Sequence, residues 1–97
     1  MMALVEDKFY YVFDVEVILA KTEKAILVQI DGTKFWLPKS QMLGWNDGLN
    51  KHIALPYWMA DQNNLLATNW NGSHVHNFTA FTGKQLRDYL NNHGLAI

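Results

Sequence analysis

The chain has 97 residues, enough for one domain and too few for two with separate cores. Apolar residues make up 49% and charged residues 18%, which excludes a disordered tail; with no cysteine, disulfides and thiolate metal sites are excluded too. A net charge of −1 at pH 7 argues against strong DNA binding by the whole surface, because such binding rests on neutralising several phosphates.

Met1 to Asp7 lacks the basic segment and apolar run of a signal peptide, and no stretch approaches the roughly 20 apolar residues of a membrane span. A cytoplasmic location is therefore expected, with no membrane partner. From Lys8 to Ala20 the sequence alternates. Phe9, Tyr11, Phe13, Val15, Val17 and Leu19 fall on one strand face, and Tyr10, Val12, Asp14, Glu16 and Ile18 on the other. So long a strand predicts a bend or bulge near Asp14 to Glu16. Lys21 to Lys24 is a polar turn, and Ala25 to Ile30 a second strand.

Asp31-Gly32 is the strongest turn signal in the chain. Both central residues of a type I′ turn need positive φ, which Gly accepts freely and Asp tolerates. Thr33 to Leu37 returns as a third strand, with Phe35 and Leu37 facing opposite to Trp36, and Pro38 ends regular pairing. Leu43 to Lys51, rich in Gly, Asn and Asp, reads as a loop carrying Trp45. Pro56 opens a short helix to Leu65, with Trp58, Met59, Leu65 and Leu66 as burial candidates. Ala67 to Asn77 is polar apart from Trp70, and Val75 to Phe81 holds a short strand. Thr82-Gly83-Lys84-Gln85 has capping-box spacing and starts a helix, in which Leu86, Tyr89 and Leu90 recur at helical spacing before a stop at Asn92-His93-Gly94.

These elements predict a single α+β domain over residues 1–97. Its small curved antiparallel sheet, SH3-like or a partial barrel, carries a short helix after Pro56 and a C-terminal helix. The predicted core is Phe9, Tyr11, Phe13, Val15, Val17, Ile26, Val28, Ile30, Trp36, Trp58, Leu86 and Leu90.

The run from Lys24 to Gln41 contains Ile30-Asp31-Gly32 followed by Trp36-Leu37-Pro38-Lys39-Ser40-Gln41. It resembles the "IDG…W(I/L)PKSQ" hairpin motif of a family of small uncharacterised phage and prophage proteins. Leu55-Pro56-Tyr57-Trp58-Met59-Ala60 resembles the "VPxWLA" that follows there. The resemblance covers roughly a quarter of the chain. It leaves out Leu43 to Lys51 and everything from Asn69 onward. It implies a phage setting, near replication, recombination or host-takeover genes, more than a mechanism.

Chemistry is sparse. His74-Val75-His76 has a two-imidazole spacing that would need a third ligand such as His52, His93 or Asp47; the reading preferred here is two loop histidines, with no metal and no cofactor. Asp14 and Glu16 share a face without an attached nucleophile or base, and Ser40 reads as a turn residue. The sequons at Asn71 and Asn77 are idle without a leader. The chain is therefore read as a non-enzyme. Trp45, Trp70, Tyr57 and Phe78 are the candidate anchors for a host or phage protein, and an anti-defence inhibitor of the anti-CRISPR type is the sharpest form of that reading. The alternative is a nucleic-acid-binding module of phage replication or recombination, with Lys21, Lys24, Lys34 and Lys39 for phosphates and Trp36 for base stacking. A homodimer is a further way for so small a domain to bury surface.

Overall fold

The computed structural model describes residues 4–92. Seven strands and two helices follow in the order β1 (Phe9–Val15), β2 (Val17–Lys21), β3 (Ala25–Ile30), β4 (Thr33–Pro38), β5 (Leu43–Asp47), β6 (Asn50–Pro56), α1 (Tyr57–Gln62), β7 (Thr79–Thr82) and α2 (Gly83–Asn92), with a 3-10 turn at Lys39–Gln41. The strands form two antiparallel sheets, one of four strands in the order β5-β6-β1-β7 and one of three in the order β2-β3-β4. Neither sheet closes, so the expected SH3-like or partial barrel is replaced by two open sheets.

The long alternating run is the reason. It breaks at Glu16, where the bend was expected, but the two halves then enter different sheets. Glu16 itself fixes the crossing: its N–H donates to the Gln29 carbonyl at 2.9 Å, and its Oε1 accepts from the Gly32 N–H at 2.5 Å. The β3–β4 hairpin forms as predicted, with Asp31 at φ 50° and Gly32 at φ 79° and Ile30 paired with Thr33.

Leu43 to Lys51 is not a loop. It folds as the β5–β6 hairpin, turning at Gly48-Leu49 with Asp47 paired to Asn50. Only the first central residue has positive φ (Gly48, 62°), the pattern of a type II′ turn. The Gly and Asn content that suggested a loop is what a tight hairpin turn requires.

The four-stranded sheet is a middle layer. Phe13, Val15, Ile53 and Leu55 on one face pack against Ile26, Val28, Ile30 and Leu37 of the three-stranded sheet, together with Met59 and Ala60 of α1. On the other face Tyr10, Leu43 and Ala54 pack against Leu86 and Leu90 of α2. Because both faces are covered, Ile53, Ala54 and Leu55 are buried in succession, and simple alternation is no guide to the inside of β6. Four residues placed in the predicted core are exposed instead: Phe9, Val17, Trp36 and Trp58. Phe9 and Val17 lie at strand starts outside the covered area. Trp36 lies on the outer face of the three-stranded sheet, and Trp58 on the outward side of α1. Tyr11 is partly buried against the core.

α1 is shorter than predicted, ending at Gln62, and Pro56 is its N-cap rather than its first turn. The α2 capping box forms reciprocally: the Thr82 N–H donates to Gln85 Oε1 at 2.9 Å, and the Gln85 N–H to Thr82 Oγ1 at 3.2 Å. The predicted stop at His93-Gly94 lies outside the described residues.

Candidate functional site

Three surface features carry side chains that the fold itself does not consume. The first is at the corner where β1 begins and β6 runs into α1. Tyr10 pairs with Pro56, which sets Phe9 and Tyr11 beside the start of α1. Pro56 is extended, with φ −63° and ψ 155°, so the chain passes from strand to helix without a spacer. The first helical turn then sends Met59 and Ala60 inward and leaves Tyr57 and Trp58 outward. Phe9 is 54% exposed, Tyr57 54% and Trp58 51%. With Tyr11 and Pro56 they line a groove of about 290 Å³, bordered by Asp7 and Lys8. The Tyr11 and Tyr57 rings meet at 5.9 Å. Sequence reasoning found Tyr57 but assigned Phe9 and Trp58 to the core. Their signal was positional, at the two ends of a strand-to-helix corner, and burial from alternation obscured it.

The other predicted anchors are scattered. Trp70 is 97% exposed. It sits on a small turn held by the Asn69 N–H donating to the Ser73 carbonyl at 2.8 Å and the Gly72 N–H to the Asn69 carbonyl at 3.0 Å. Phe78 is a packing residue, edge-on to Tyr11 at 5.2 Å and to His74 at 4.8 Å. Trp45 lies on β5, not on a loop, and is half-buried.

The second feature is the outer face of the β3–β4 hairpin. Lys34 and Trp36 alternate onto the same face of β4, and Trp36 is paired with Leu27. Lys24 and Lys39 meet at the far end, where the Lys39 N–H donates to the Lys24 carbonyl at 2.8 Å, and Lys21 closes β2 nearby. Lysines thus stand at both ends of the hairpin with one exposed ring between them.

The third is a cleft of about 280 Å³ at the end of the four-stranded sheet that α2 leaves uncovered. A row crosses the sheet there: Trp45 on β5 pairs with His52 on β6, which pairs with Asp14 on β1. His52 Nδ1 donates to Asp14 Oδ1 at 2.7 Å, and the Trp45 ring lies 5.6 Å from the imidazole. The opposite wall is Phe81 against Tyr89, 5.6 Å apart. Trp45 Nε1 is buried and has no acceptor among the described residues. Asp14 and Glu16, expected on one strand face, are separated by the sheet crossing and serve different partners.

The histidines do not converge. His74 Nδ1 lies 3.1 Å from the Leu66 carbonyl, whereas His76 is buried and donates from Nδ1 to Asp31 Oδ2 at 2.8 Å, tying the 63–78 segment to the hairpin turn. Among the described residues no three His, Cys, Asp or Glu side chains gather to hold a metal ion, and no helix is long and apolar enough to cross a membrane. His93 lies outside the described residues. Comparison with family models, with curated proteins and with solved structures finds no match for the chain.

Proposed function

We propose that this chain is a non-enzymatic accessory protein that works by binding another protein through the aromatic groove at the β1–α1 corner. One observation carries the reading: Phe9, Tyr57 and Trp58 leave half or more of their surface in water around a single groove. Large aromatics grouped this way are the usual energetic centre of a protein interface. The phage setting rests on the resemblance from Lys24 to Gln41, and within it an anti-defence inhibitor acting on a host protein is the sharpest form of the proposal. A second copy of the chain is the competing occupant of the groove.

The test uses the immobilised chain as bait in host lysate, with and without nuclease, beside a Tyr57→Ser/Trp58→Ser variant. Both side chains are exposed, so the variant keeps the core. Capture that resists nuclease and weakens at least about 30-fold in the variant supports the reading, since hot-spot truncations cost about 2 kcal/mol or more. Equal capture by the variant overturns it. Concentration-dependent dimerisation lost in the same variant assigns the groove to self-association.

The alternative, binding of single-stranded nucleic acid, is supported by one arrangement: exposed Trp36 with Lys34 beside it and Lys24 and Lys39 at the other end of the hairpin. A ring for stacking between phosphate-neutralising charges is what such a surface needs. It predicts capture that is nuclease-sensitive, falls steeply with salt and is lost in Lys34→Glu/Lys39→Glu.

A further inference from the structure

We infer that the cleft between the Trp45–His52 and Phe81–Tyr89 ring pairs is a receptor for a guanidinium group, the side chain of an arginine presented by a protein partner. The source of that arginine rests on the protein-binding reading above; the chemistry of the cleft does not.

The floor of the cleft is β1, through Val12 and Asp14, with aromatic walls on both sides. Asp14 brings a carboxylate of which one oxygen is occupied. Oδ1 accepts from His52, while Oδ2 has no hydrogen-bond partner among the described residues. The Asp14 side chain is 87% exposed, so Oδ2 is accessible to a ligand. Among the described residues no lysine or arginine lines the cleft. The site therefore offers, between two pairs of aromatic rings, a carboxylate oxygen that the His52 hydrogen bond leaves open.

Ring faces and a carboxylate together select an organic cation, because the negative faces of aromatic rings and the carboxylate attract the same charge. A guanidinium fits better than an ammonium for two reasons. It is planar and weakly hydrated, so it stacks on rings at little desolvation cost, and its fork of N–H donors reaches a carboxylate oxygen while stacked. An ammonium is compact and strongly hydrated, and has no flat face to lay against the rings. The hydrogen bond from His52 holds the Asp14 carboxylate in place across the strands, which reduces the ordering cost of binding.

The experiment titrates the full chain with N-acetyl-arginine amide and follows the indole N–H resonance of Trp45, assigned by its loss in Trp45→Phe. N-acetyl-citrulline amide has the same shape without the charge, and N-acetyl-lysine amide (acetylated at the α-nitrogen) has the charge without the plane. Asp14→Asn removes the charge and still accepts from His52, so the fold is retained. The expected result is saturable, selective binding of the arginine probe, weakened about fivefold by Asp14→Asn, in keeping with a solvent-exposed charge contact. Equal binding of the citrulline probe, or no effect of Asp14→Asn, overturns the inference. Equal binding of the lysine probe overturns the guanidinium assignment. The groove variant Tyr57→Ser/Trp58→Ser binds the arginine probe normally, so loss of lysate capture and loss of probe binding report on different sites.

Discussion

Two glycines illustrate what single residues contribute and how far a sequence reveals it. Gly32 sits at φ 79° with open space where a Cβ would be, so its constraint is conformational alone. Gly32→Val should destabilise the domain by about 1–2 kcal/mol, the penalty of the left-handed region for a residue with a Cβ, measured by urea unfolding. Gly83 is constrained by a neighbour. A Cβ there would lie 2.1 Å from the Val5 carbonyl oxygen, and its own N–H donates to the Lys8 carbonyl at 2.9 Å. Gly83→Ala should therefore displace the chain before β1, seen as altered amide signals from residues 4–8 in a domain that remains folded. The first role was legible because Asp-Gly is a local turn code. The second was not, because the reason for the glycine lies some eighty positions away in sequence.

At the scale of elements, local codes were read correctly and layer assignments were not. The Thr82–Gln85 box, the Asp31-Gly32 hairpin and the break near Glu16 all follow from short-range chemistry. Thr82→Ala removes an acceptor from the first turn of α2 and should cost about 1 kcal/mol in urea unfolding, with Thr82→Ser restoring most of it. Burial depends on what covers a face, and α2 covers the face of β1 that carries Tyr10. So Tyr10 is core and Phe9 is surface, although alternation ranks them the other way. The same effect hid the candidate site. Tyr57 was legible as an aromatic, but the partners that make a groove with it were read as core. The Trp45–His52–Asp14 row needed the β5–β6 hairpin, whose residues read locally as a loop. Leu86→Ala tests the layer assignment: Leu86 is fully buried between α2 and the sheet, so about 2–5 kcal/mol of stability should be lost.

At the scale of the whole molecule, the segment before β1 acts as a clasp across the β7–α2 junction. The Gly83 N–H reaches the Lys8 carbonyl at 2.9 Å, the Lys84 N–H reaches the Glu6 carbonyl at 3.3 Å, and Arg87 donates from its guanidinium to Glu6 Oε1 at 2.7 Å. Val5 and Tyr10 add a bond from the Val5 N–H to the tyrosine hydroxyl at 2.9 Å. The Arg87 hydrogen bond, and then its charge, hold the Glu6 carboxyl below its ordinary value of 4.5. A carboxylate with a depressed folded pKa stabilises the native state above its unfolded pKa and loses that contribution as pH falls through the folded one. The clasp should thus be insensitive to pH from neutrality down to about 4.5, then loosen below it. The Gly83 and Lys84 amide resonances report this directly, because both donate to the clasping segment. Arg87→Met should raise the Glu6 pKa from its depressed value and shift those two amides already at neutral pH. If the amides of the unaltered chain stay in place as pH falls below about 4.5, or if Arg87→Met leaves them in place, the clasp is held by its backbone bonds alone and the Glu6–Arg87 pair is incidental to it.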